Sequence, residues 1–132
     1  MWVPYEKIRN HPQDFNVKYH FYLPQEGGRK KIPYQGYRCD FAYEEYYVED
    51  KSIYAIHPEF EDELGNIILV DDKPVRASGT ARMWILFQEM REKVHRNRIK
   101  VGTKGYFMEG SRRVGEVEVI EIIGLHTNKE KL

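Results

Sequence analysis

Three arginines, Arg29, Arg38 and Arg112, are the side chains best suited to grip a ligand, because a guanidinium presents a planar fork of donors that fits phosphate or carboxylate. Lys30 and Lys31 extend the positive charge of Arg29, and the basic stretch from Arg91 to Lys104 adds more. Together these groups would suit an RNA backbone. The opposite chemistry is offered by Glu59, Glu61, Asp62 and Glu63, an acidic run that reads as a solvated loop able to steer a basic protein partner. An enzyme needs a nucleophile or an acid/base pair held by a third group. Only Cys39, His57 and the acids Glu59, Glu61 and Glu63 are available for nomination, and no spacing singles one out. No catalytic residue is therefore expected. The single cysteine and the five scattered histidines give neither CxxC nor HExxH, so no metal site is expected. No GxxxxGK[ST], GxGxxG or GxSxG sequence occurs, and no cofactor is expected either.

Charge is balanced over the chain and unevenly spread within it. Residues 40–72 hold 11 acidic residues against Lys51 alone, whereas residues 73–113 hold 11 basic residues and 3 acidic ones. A net charge of zero lacks the dominant positive field that indiscriminate nucleic-acid binding requires, and DNA is not an expected partner. Acidic and basic segments on neighbouring strands would neutralise each other.

These groups must be positioned by a small domain, since 132 residues with 41% hydrophobic content suit one core. The longest apolar run, Met83 to Phe87, is far too short to span a membrane. The N-terminus carries charges where a secretory signal has its apolar stretch, so a reducing cytoplasm is the expected setting. Phe15, Val17, Tyr19, Phe21 and Leu23 alternate with polar residues, the pattern of a strand with one buried face. Extended segments are also expected at Tyr34–Tyr43, Ser52–Ile56, Ile67–Val70 and Thr80–Phe87. Gly105–Met108 and Val114–Ile123 read as a hairpin about the turn from Glu109 to Arg112. In its second strand the alternation Val117, Val119 passes to Ile120, Ile122, a change of phase that predicts a bulge. Phe87, Met90 and Val94 recur at helical spacing and predict a short helix. The expected architecture is all-β: a closed antiparallel barrel of about six strands with Val17, Tyr19, Phe21 and Val117 or Val119 inside. It spans 1–132 as one domain, with residues 1–14 as an N-terminal extension and 127–132 as a frayed polar tail.

Two blocks carry a resemblance. The stretch from Val17 to Phe21, the turn Glu26-Gly27-Gly28-Arg29 and Gly36-Tyr37-Arg38-Cys39-Asp40-Phe41 resemble the opening of the third, C-terminal barrel domain of elongation factor Tu. The run from Tyr106 to Gly115 is similar to the closing hairpin of that domain, in the same order. The resemblance implies a β-barrel that holds the T-stem of aminoacyl-tRNA through backbone contacts. It implies tRNA contacts at Arg29, Glu109 and Gly110. The chain departs from the family pattern at Cys39 and Asp40, where the family has proline and glutamine, and at Ser111, which replaces a glycine. The middle, Glu44 to Lys100, is longer than in the family.

Three classes of function follow, in descending order. The first is a non-enzymatic binding module that engages a protein partner linked to translation, through the longer middle segment and its acids. The second is a tRNA- or RNA-binding domain that uses a basic rim of Arg29, Lys30, Lys31, Arg38, Glu109, Gly110 and Arg112. The third, an enzyme, has the least support.

Overall fold

The alternating segment forms β1 (Phe15–Phe21), in which Phe15, Val17, Tyr19 and Phe21 are buried while Lys18 is exposed. In the computed structural model, which describes residues 1–47 and 51–130, five more strands join it. They are β2 (Asp40–Tyr43), β3 (Ile56–Phe60), β4 (Ser78–Ile85), β5 (Lys104–Glu109) and β6 (Arg112–Ile122). All pairings are antiparallel, in the order β2-β5-β6-β1-β4-β3. The sheet curls so that its inner face encloses the core, and Val117 and Val119 both point inward with the expected β1 residues. The predicted bulge is present: Val17 pairs with Val119 but Asn16 pairs with Glu121, so Ile120 is the extra residue and turns toward solvent.

The expected closed barrel does not form; the sheet is a curled half-barrel, with β2 and β3 as its edges. Among the described residues a single bridge, Phe41 to Tyr54, spans the gap. Pro58 at the middle of β3 has no N–H to give a ladder, which suits an edge strand. Side chains stitch the gap instead. The Gln35 amide donates to Phe60 O and accepts from Phe60 N, each at 2.9 Å, as a neighbouring strand would. His57 Nδ1 donates to Cys39 O at 3.0 Å.

Other sequence expectations shift. Of Tyr34–Tyr43 only Asp40–Tyr43 is a strand, and Ser52–Ile56 gives way to β3, which starts at Ile56. Ile67–Val70 contributes one bridge, Ile67 to Glu61. The expected helix exists as an α-turn (α2, Gln88–Met90), a π-turn (Arg91–His95) and a second α-turn (α3, Arg96–Arg98). Its buried residues are not the apolar ones: Arg91 and His95 are inside, while Phe87 is 59% exposed. The tail is anchored through Glu130 rather than frayed. Asn128 Nδ2 donates to Asp14 at 2.9 Å, and Glu130 meets His11 at 2.8 Å and Arg9 at 3.1 Å. Residues 131–132 lie outside the described residues.

The N-terminal extension carries a helix, α1 (Tyr5–Arg9), and covers the outer face of β3 and β4. Its anchor is Glu59, fully buried, whose carboxylate accepts from Trp2 Nε1 (2.8 Å), Tyr5 N (2.9 Å) and Trp84 Nε1 (3.2 Å). Three N–H donors meet this carboxyl group, and among the described residues it forms no ion pair. Glu59→Gln would keep one acceptor oxygen and set an amide N–H2 against an indole N–H. A buried donor left unpaired costs about 1–3 kcal/mol. Urea unfolding of that variant is expected to show a loss of about 2 kcal/mol, with tryptophan emission shifted toward that of exposed indoles.

Candidate functional site: a basic rim beside an apolar groove

The turn after β1 and the β5–β6 hairpin meet at one end of the sheet. A short 3-10 turn, Pro24–Glu26, leads into Gly27 at φ +90°, a left-handed conformation that glycine adopts without strain. Gly28 then lies against the backbone of Tyr22: a Cβ there would sit 1.8 Å from Tyr22 O. That contact lets the chain fold back so that Arg112 Nη2 donates to the carbonyls of both Gly27 and Gly28. Arg29 is drawn onto the hairpin from the other side. Its Nε lies 2.7 Å from Glu109 Oε2, its Nη1 donates to Lys31 O at 2.8 Å, and its guanidinium is 4.9 Å from the Tyr37 ring centroid. Tyr37 donates its phenol to the same Glu109 carboxylate. Burial, and then that hydrogen bond, raise the Tyr37 pKa far above the ordinary tyrosine value, so the phenol keeps its proton.

Five of the seven residues named for the rim therefore come together: Arg29, Lys30, Lys31, Glu109 and Arg112 line one cleft of about 400 Å³. Arg29 and Arg112 latch the turn to the hairpin, and Glu109 is the acid that pairs Arg29. Lys30 and Lys31 are exposed, and among the described residues neither has a carboxylate within 4.0 Å. They are the available cations of the rim. Gly110 forms the exposed tip of the hairpin turn at φ +59° and lines no part of the cleft. Arg38 lies elsewhere, exposed beside Tyr5 and His57, where its charge opposes the rise that burial gives the Tyr5 pKa.

Sharing Arg29 and Lys31 with this cleft is a second, more apolar groove of about 590 Å³, lined by Ile32, Pro33, Tyr34, Gln35, Tyr37 and Pro74. Tyr34 is 49% exposed, and its ring enters none of the described aromatic contacts. Sequence reading passed over this residue as part of a strand. The bridge from Tyr34 to Pro74 that frames the groove joins residues forty apart, beyond the reach of local pattern.

The acidic run is not an open loop. Glu59 is the buried anchor described above, and Glu61 is 8% exposed, held by Thr80 Oγ1 and Arg82 Nε at 2.8 Å each. Asp62 accepts from the amides of Leu64 and Asn66 and so shapes its own turn. Glu63 alone is exposed. The acidic and basic blocks thus neutralise each other where they meet, at Glu61–Arg82 and at Glu45–Arg98. Glu49 and Asp50, in the same acidic block, lie outside the described residues.

The groups nominated for chemistry are occupied in the fold. Cys39 is 2% exposed, and burial pushes its thiol well above the ordinary range, away from the reactive thiolate. Burial also lowers the His57 pKa, and its Nδ1 is committed to the Cys39 carbonyl. A line that sequence reading missed runs from Ser78 Oγ to His20 Nδ1 (2.8 Å) and from His20 Nε2 to Glu26 (3.3 Å), beside a cavity of about 660 Å³ on the outer sheet face. The side chains of His20 and Glu26 are 35% and 43% exposed, so nothing shields this line from water as a preorganised reaction centre requires. The sequence matches no protein-family model and no curated protein.

Proposed function

We propose that the chain is a binding module whose ligand is an RNA backbone held at the rim of the turn and hairpin. The observation that carries this reading is the pair Lys30 and Lys31, exposed and, among the described residues, without a carboxylate partner, on a turn that Arg29 and Arg112 fix in place. Fixed geometry lowers the ordering cost of binding, and compact ammonium groups suit phosphate as point charges. The resemblance of the same turn and hairpin to the third domain of elongation factor Tu supports it. A protein partner is the second reading, favoured by the exposed apolar residues Met1, Val3, Leu69 and Val70, which the bond from Trp2 N to Leu69 O brings side by side. The buried Glu59 and Glu61 give that reading no contact.

Fluorescence anisotropy with a labelled RNA at several salt concentrations tests the rim. Affinity is expected to fall with salt, and Lys30→Glu with Lys31→Glu is expected to weaken binding and reduce the salt slope by roughly one unit per lysine. Salt-independent binding, or a slope unmoved by both reversals, rules the rim out.

A further inference from the structure

We infer that the rim takes a single strand, with one base stacked on Tyr34 in the adjoining groove and neighbouring phosphates on Lys30 and Lys31. This rests on the reading of the rim as a nucleic-acid site and adds to it the form of the ligand. Most aromatic rings of the chain are spent on one another: Tyr19, Phe21, Phe60 and Phe107 pack edge to face or tilted in the core. Tyr34 is an exception, a half-exposed ring on a backbone held on both sides. Tyr34 bridges Pro74, Val75 N donates to Pro33 O at 2.9 Å, and Tyr37 N donates to Tyr34 O at 3.2 Å. The platform is therefore built before a ligand arrives.

The groove beside it is large enough for a small-molecule-sized group, at about 590 Å³, and its walls at Ile32, Pro33 and Pro74 are apolar. Because Lys31 and Arg29 line both groove and cleft, a base in one has its own backbone at the other. A duplex cannot use this arrangement: it offers phosphates to the lysines but keeps its base faces stacked inside. A splayed single strand offers both.

The experiment compares a labelled eight-nucleotide oligoadenylate with a hairpin duplex of matched charge, inorganic polyphosphate and polyglutamate, on the wild type, Tyr34→Ala, Tyr34→Trp and the double lysine reversal. Base stacking on an aromatic ring is worth about 1–3 kcal/mol, or roughly 5- to 140-fold in affinity. Expected results are tightest binding of the oligoadenylate, a loss of about tenfold in Tyr34→Ala with the salt slope unchanged, and recovery in Tyr34→Trp. Tyr34 is exposed, so unfolding of Tyr34→Ala, read by its circular dichroism, is not anticipated. Equal binding of duplex or polyphosphate, an unchanged affinity in Tyr34→Ala, or preference for polyglutamate overturns the single-strand inference. Failure of all four ligands to bind in a salt-dependent way overturns the rim reading itself.

Discussion

Asp14→Asn is expected to lower the stability of the chain by about 3 kcal/mol, the lower end of the cost of breaking a buried ion pair by removing one member, because Arg91 keeps a contact with Glu130. Asp14 and Arg91 both have fully buried side chains, and Arg91 Nε lies 2.8 Å from Asp14 Oδ1. Each is also tied to backbone: Ile85 N donates to Asp14 Oδ2 at 2.8 Å, and Arg91 Nη2 donates to Ile85 O at 2.8 Å. Asn128 and Glu130 reach the same pair from the tail, so one cluster joins the start of β1, the end of β4, the helix and the last described residues. Removing the Asp14 charge leaves a guanidinium inside with Glu130 as its remaining acid. For a domain of 132 residues the loss amounts to a fall in Tm on the order of 10–20 °C. Arg91→Met is expected to cost a similar amount by stranding the carboxylate. The double variant, with both charges gone, is expected to cost less than the sum, and a double-mutant cycle in urea reads the difference. If Arg91→Met costs under about 1 kcal/mol, the pair does not anchor these segments.

That cluster also shows where local pattern stops. β1 and β6 are legible because each buries one face, so their residues alternate, and a phase change even locates the bulge at Ile120. β3 is not legible, since Glu59 and Glu61 look like solvent-facing acids until Trp2 and Arg82, 57 and 21 residues away, supply their hydrogen bonds. The helix after β4 is legible from its spacing, but its orientation is not. Hydrophobicity puts Phe87, Met90 and Val94 inward; Val94 does pack against the core, but Phe87 stays exposed, and Arg91 and His95, bonded to Asp14 and Tyr43, are the residues fully buried. Pro58, which lacks the N–H that a further strand would use, marks β3 as an edge only once it is known that β3 has no partner beyond it.

The rim divides in the same manner. Arg29 and Arg112 flank two glycine turns, and turns at one end of a sheet meet, so their proximity follows from the order of elements. Which cations remain free does not follow. Glu109 takes Arg29, the Gly27 and Gly28 carbonyls take Arg112, and only geometry leaves Lys30 and Lys31 to solvent. Arg38 precedes β2 and points away from the rim toward Tyr5 and His57.

Stability is expected to decline between pH 6.5 and pH 4 because of His95, the other polar residue the helix buries. His95 is 1% exposed, its Nδ1 lies 2.7 Å from Tyr43 Oη, and its Nε2 is buried with no hydrogen-bond partner among the described residues. Burial first, then the charges of Arg98 and Arg91, lower its pKa to about 4. The folded chain thus holds the ring neutral while the unfolded chain protonates it near 6.5, so in this window the unfolded state binds more protons and is favoured as the pH falls. The contribution is whole above pH 6.5, has fallen by about 2 kcal/mol at pH 5, and has lost about 3 kcal/mol by pH 4. Tyr43 and Tyr54 pack on the ring, at 5.9 and 4.7 Å between centroids, and Arg98 stacks 3.7 Å from the Tyr43 centroid; among the described residues no carboxylate pairs with the imidazole to stabilise a cation. His95→Gln keeps an amide that can accept from Tyr43 and cannot titrate. Urea unfolding at pH 7 and pH 5 is expected to show a smaller loss in that variant than in the wild type, by about 2 kcal/mol. Parallel losses would mean that the acid sensitivity lies with other groups and that His95 is not held neutral by its burial.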